Sequence, residues 1–206
     1  EKETMSRPVT LFTGQWADLP LEEMCSTASK MGYEGLEIAT WGQLNVRKAA
    51  ESKEYVKEIL GVLQKYNLGC WAIGAHLTGQ CVGDALTYAY DPRLDGSAPT
   101  ELAGKPEEIQ KWAVEEMKYT AKAARNMGVE VVTCFMGSPI WKMWYSFPQT
   151  TEEQVEEAYQ TMKRLWTPIL DVFDEFKVKL ALEVHPTEIA YDYWSTKRLL
   201  EIFEYR

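Results

Sequence analysis

The 206-residue chain is 46% hydrophobic and 26% charged, which suits one globular domain with a sizeable core and excludes a disordered or collagenous chain. Its 31 acidic residues against 22 basic ones leave a net charge of −9, so no uniform basic field exists to neutralise the phosphates of a duplex. The longest stretch free of Asp, Glu, Lys and Arg, Tyr66 to Gly83, holds Asn67, His76, Thr78, Gln80 and four glycines, and is not a membrane span.

Glu1 to Pro8 carries no apolar h-region of a secretory signal. Val9 to Thr13 is the first predicted strand, and Leu21, Met24, Cys25, Ala28 and Met31 then recur at helical spacing up to Gly32, a helix C-cap. Gly35 to Thr40 is the second strand, Ser52 to Asn67 a helix, and Gly69 to His76 the third strand. From Thr78 to Lys105, Asp91-Pro92, Asp95-Gly96 and Ala98-Pro99 supply turn chemistry. That segment is expected to be a long loop that forms an irregular or short-helical lid over the site, with Tyr88 and Tyr90 on its underside. Pro106 opens a helix to Met127, stopped by Gly128, and Val129 to Met136 is the fourth strand. An aromatic-rich loop, Gly137 to Gln149, leads to Thr150 and Glu153, read as the capping box of a helix to Phe176 that bends at Pro168. Val178 to His185 is the fifth strand, and a last helix begins at Ser195.

Strands alternating with helices predict βα units on a parallel sheet, either open and doubly wound or part of a (β/α)₈ barrel. The turn after strand one, Thr13-Gly14-Gln15-Trp16-Ala17, has no GxGxxG and puts a tryptophan where a phosphate would need bare backbone, which favours the barrel. Eight units typically need about 250 residues. Five units occupy residues 1–206, so the expectation is a single barrel domain that is incomplete after strand five and inactive by itself. Open edges at strands one and five predict one of three outcomes: the sequence is part of a longer protein, a partner chain completes the barrel, or the sheet opens and its edges pair between copies as a homo-oligomer. Cysteines 25, 70, 81 and 134 form no CxxC pair, and a chain this long needs no disulfide, which points to a reducing cytoplasm.

Inward-facing residues at the C-terminal strand ends build the site in such barrels. Alternation turns Leu180, Leu182 and Val184 outward and leaves Ala181, Glu183 and His185 inward. The same sorting puts Glu37, Ala39 and Trp41 inward on strand two, with Glu37 either lining the site floor or serving as a structural acceptor, and His76 at the end of strand three. Trp16, Trp41, Trp141, Trp144 and Trp194 lie in or beside βα loops, where flat rings stack on sugar C–H faces or simply pack the loops.

Val9-Thr-Leu-Phe-Thr-Gly-Gln-Trp16, Gly35-Leu-Glu-Ile-Ala39, Ala75-His-Leu-Thr-Gly-Gln80 and above all Ala181-Leu-Glu-Val-His-Pro-Thr-Glu-Ile-Ala190 resemble the sugar phosphate isomerase/epimerase family. This family belongs to the xylose isomerase-like barrels, which also include endonuclease IV. The resemblance implies a divalent metal (Mn²⁺, Mg²⁺, Co²⁺ or Zn²⁺) held by a Glu of strand five, an Asp or Glu of strand six, a His of strand seven and a Glu of strand eight. Glu183 matches the first ligand, and the other three have no counterpart in the chain.

The implied activity is isomerisation or epimerisation of a sugar, with Glu183 and His185 as catalytic residues and His76, Trp16, Glu37, Trp41, Gln80 and Glu188 contacting substrate. No Gly-rich phosphate nest is present, so a phosphorylated substrate is not required. The alternatives are a metal-dependent nuclease at abasic DNA sites, which the net charge of −9 opposes, and a non-catalytic carbohydrate-binding fragment.

Overall fold

The structure is a computed structural model that describes residues 7–85 and 91–206. Five short apolar runs become strands β1 (Thr10–Phe12), β2 (Gly35–Ala39), β3 (Gly69–Gly74), β4 (Val131–Cys134) and β5 (Lys179–Leu182), all parallel and neighbours in chain order. Each sequential pair is joined through helical segments, as parallel strands require. Leu36, Ile38, Ile73, Val132 and Cys134 turn one face of the sheet into the fully buried core. The opposite face carries Phe12, Glu37, Thr133 and Ala181.

The covering helices are α1 (Leu21–Lys30), α2 (Val46–Glu51), α3 (Lys53–Lys65), α4 (His76–Asp84), α5 (Pro106–Asn126), α6 (Glu152–Phe176) and α7 (Tyr193–Ile202). In α6, Ala158, Tyr159, Met162, Leu165, Trp166, Ile169, Leu170 and Phe173 recur at three- and four-residue spacing and are buried. Trp166 lies wholly inside, and its indole Nε1 donates to the Met136 carbonyl at 3.2 Å, anchoring α6 beneath the exit of β4.

The structure departs from the sequence reading in several places. Ser52 ends α2 as well as starting α3, and the short α2, capped by Asn45, was not expected. His76 opens a helix instead of closing strand three, so the segment from Thr78 starts as α4 and not as loop. Beyond it, the turn residues make two 3₁₀ turns, Pro92–Ser97 and Thr100–Leu102. Tyr88 and Tyr90 lie outside the described residues. The capping box of α6 is Thr151 with Gln154, one residue later than Thr150 with Glu153, because the Thr150 hydroxyl is engaged by the Met143 carbonyl. The helix itself runs to Phe176 with Pro168 inside it, as the sequence reading has it.

Strand β2 pairs with β3 through a bulge: Leu36 faces Cys70 and Glu37 faces Ala72, so Trp71 is the extra residue. Its ring covers Gly35 and Gly69, where a Cβ would come within 2.3 and 2.4 Å of it, and it stays 48% exposed. Among the described residues, strands β1 and β5 each pair on one side only. All four cysteine thiols are unpaired. No helix among the described residues is long and apolar enough to cross a membrane.

Candidate active site

His76 and Glu183 meet beyond the C-terminal ends of the strands. The Ala75 amide donates to the Thr133 carbonyl at 2.8 Å, so the chain leaving β3 stays attached to β4 just before α4 begins with His76. The Glu183 amide donates to the Cys134 carbonyl at 3.0 Å, which extends the β4 and β5 pairing by one residue and holds its side chain above the sheet edge. The result is a 3.1 Å contact between His76 Nε2 and Glu183 Oε2, with the imidazole side chain 8% exposed and the carboxylate 51% exposed. With Glu183 ionised, Nε2 carries the proton and donates. His76 Nδ1 is buried and has no partner among the described residues.

An aromatic wall surrounds this pair. Ring centroids of Phe12, Phe135 and Trp41 stand 5.2, 4.8 and 6.1 Å from the His76 ring, all edge to face. Phe135 also touches the His185 ring at 4.9 Å, so it lies between the two histidines of the chain. Gly14 and Gly74 make room for the wall: a Cβ on either would come within 2.5 Å of the Phe12 ring. Trp41 donates from Nε1 to the Gly14 carbonyl at 3.4 Å. The exposed His185 faces Pro186 O with Nδ1, which makes Nδ1 the protonated nitrogen and leaves Nε2 as an acceptor in the neutral ring. Glu37 sits below, half-buried, with Oε1 accepting from the Thr133 hydroxyl at 2.5 Å across the sheet.

A second polar cluster lies behind Phe135. Glu188, 1% exposed, accepts from the Met136 and Gly137 amides at 3.0 and 2.6 Å through Oε2. Asp84 accepts from the Ser138 amide at 2.6 Å and from Gln80 Nε2 at 2.7 Å. Burial pushes the Glu188 carboxyl up to about 7, with the neighbouring Asp84 adding to the shift, and burial pushes Asp84 up to about 6 against the pull of the Ser138 amide and Gln80. Asp84 and Gln80 also line a cavity of about 700 Å³ with Asp91, Trp141, Lys142 and Tyr145.

The profile of the xylose isomerase-like TIM barrel family matches residues 25–205. The chain belongs to this family. No curated protein matches it in sequence. Among solved structures it is similar to the 3-keto-D-glucoside 4-epimerase YcjR from E. coli, with a TM-score of 0.65, 9% identity, and coverage of 98% of this chain and 66% of that one. It is also similar to a probable 3-DHS dehydratase, AsbF, from Bacillus anthracis (TM-score 0.59, 15% identity, 96% of this chain and 60% of that one). A third is the IolI protein with a bound zinc atom (TM-score 0.57, 15% identity, 96% and 59%). At such identities the likeness is one of fold, and the chain spans 59% to 66% of the length of these three proteins.

As a segment of a xylose isomerase-like barrel, the sheet places His76, Trp41, Glu183 and His185 together at the mouth. Phe12 and Phe135, which complete the wall, were not singled out in the sequence, although Phe135 shares the parity of Val131 and Thr133 and the alternation used for strand five would have found it. Trp16 lies on the 3₁₀ turn Gly14–Trp16 and its ring pairs with none of the described rings. Gln80 and Glu188 do not present themselves to the mouth. Gln80 is spent on Asp84, and Glu188 is enclosed on backbone amides, so a role for it in contacting substrate is not what its surroundings favour. Among the described residues no three His, Cys, Asp or Glu side chains converge on one point, so these donors do not by themselves fit a divalent ion.

Proposed function

We propose that these five βα units supply one side of the active site of a sugar isomerase or epimerase. The His76–Glu183 pair within an aromatic wall at the barrel mouth carries this reading. Apolar rings suit the C–H faces of a sugar and exclude water, while the half-exposed Glu183 carboxylate is open to a ligand beside them. Glu183 accepts the proton from the hydroxyl-bearing carbon next to a carbonyl. The electron pair of that C–H bond moves into a new C=C bond, the carbonyl oxygen becomes an enediolate oxygen, and return of a proton gives the isomer or epimer. His76 Nε2–H holds the carboxylate in one orientation, and His185 Nε2 accepts from a substrate hydroxyl. A divalent ion (Mn²⁺, Mg²⁺, Co²⁺ or Zn²⁺) in the complete site would polarise the carbonyl, with Glu183 as its one ligand from these units.

The test is exchange of solvent deuterium into ketohexoses and 3-keto-glucosides by the protein in the assembly it forms, presented with each of these ions. Glu183→Gln should lower exchange by at least about 10²-fold, the scale of a lost proton-transfer group. Undiminished exchange in the variant would remove Glu183 from the chemistry, and sugar binding without exchange in the wild type would favour a carbohydrate-binding module instead.

The unpaired outer edges of β1 and β5 and the exposed Trp71 on the inner face further support association with a second copy or with a chain that completes the barrel, in a reducing cytoplasm that keeps the four thiols unpaired. Light scattering on the 206-residue chain should give a mass above that of one copy. A monomer with both edges open to solvent would contradict this.

A further inference from the structure

Three consecutive backbone amides at the exit of β4, those of Met136, Gly137 and Ser138, point at two carboxylates from different units of the fold, Glu188 buried and Asp84 half-buried. Glu188 takes the first two and Asp84 the third. Gly137 adopts a left-handed φ of 77°, which lets successive amides converge in this way. Gln80 joins the carboxylates through its bond to Asp84.

Each member is tied to one of the rings at the mouth. Glu188 belongs to a closed turn in which its own amide donates to the His185 carbonyl at 3.1 Å, Ile189 donates to Gly137 at 3.1 Å and the His185 amide donates to Ala190 at 3.2 Å. Asp84 and Gln80 lie on α4, whose first residue is His76. Met136 follows Phe135. We propose that Glu188, with Asp84 and Gln80, is a positioning clamp that sets His76 and His185 on the two sides of Phe135. The clamp acts through the backbone of residues 136–138 and touches no ligand.

Neighbouring packing leaves the clamp little slack. A Cβ on Gly79 would stand 2.0 Å from the Phe135 carbonyl oxygen, and one on Gly83 would stand 2.6 Å from that of Met136, so α4 lies backbone to backbone on the segment the carboxylates grip. A carboxylate at position 188 offers one oxygen to two amides, and a glutamine offers the same oxygen without the charge. The assignment concerns ring placement, so it stands or falls separately from the reaction proposed above.

The experiment is magnetic resonance of the isotope-labelled 206-residue chain, reading the ring signals of His76, His185 and Phe135 and the amide signals of Met136 and Gly137. In Glu188→Ala all three rings should move, and in Glu188→Gln they should return to the wild-type positions. Ring signals that stay in place in Glu188→Ala, or that move equally in Glu188→Gln, overturn the proposal. Should Glu188→Ala fail to fold, Gln80→Ala replaces it. That variant removes the Gln80 bond to Asp84 without removing either carboxylate, and it should move the His76 ring signal; an unmoved His76 ring in folded Gln80→Ala overturns the proposal as well.

Discussion

Replacing Gly79 by alanine should destabilise the protein by about 3 kcal/mol or more, the upper range for forcing extra volume into a packed interior. The added Cβ would lie 2.0 Å from the Phe135 carbonyl oxygen and 3.2 Å from the Cys134 Cβ. Both belong to β4 or its exit, which pairing with β3 and β5 fixes, so neither side can yield cheaply. Gly61 provides the control. It sits in the interior of α3, and nothing lies within 4 Å of where its Cβ would be. Gly61→Ala should therefore stabilise by up to about 1 kcal/mol through helix propensity. Urea unfolding of the two variants measures both signs. Equal effects at the two positions would show that α4 does not meet β4 as closely as described.

Stability should also fall as pH rises from about 4.5 to about 7, and Glu188 should be a main reason. Its carboxyl titrates at about 7 in the folded chain against 4.5 unperturbed, and Asp84 at about 6 against 3.8, so within this window the folded state holds protons that the unfolded chain has released. Stability then declines with rising pH and levels off above the folded value. At 1.36 kcal/mol per pKa unit, Glu188 accounts for about 2 to 3 kcal/mol between pH 5 and 8. The groups facing the pair include Gln80 and the Cys134 thiol, with Asp91, Lys142 and the Cys81 thiol, itself pushed up by burial, on the Asp84 side. Burial holds the Cys134 thiol far above this window. Glu188→Gln removes the titrating group and keeps an acceptor, so the wild type should lose that amount relative to the variant. Parallel pH profiles for the two proteins would contradict the assignment.

How much of this was legible in the sequence depended on which force decided each element. Apolar alternation located all five strands, and it turned Glu183 and His185 to one side because burial of Leu180 and Leu182 sets the register of β5. Placing His76 at a strand end brought it to the right part of the fold for a reason that only partly holds, since it begins α4. That helix was hidden by Gly79 and Gly83, which are poor helix formers alone but are required where one backbone lies on another. Glu188 looked available in a polar run, and nothing local announces that its partners are amides about 50 residues earlier. Asp84 was lost with the helix that carries it. The capping box moved by one residue because Thr150 is held by Met143, a tertiary contact that competes with the local motif.

The most direct measurement is residue-resolved magnetic resonance of the 206-residue chain during titration with a ketohexose. The proposed function predicts that the Trp41 indole and the Phe135 and His185 rings shift together with rising sugar, while the Trp141 and Tyr145 signals of the 700 Å³ cavity stay in place. Shifts confined to Trp141 and Tyr145, with Trp41 and His185 unmoved, would contradict the placement of the sugar site at the His76–Glu183 pair.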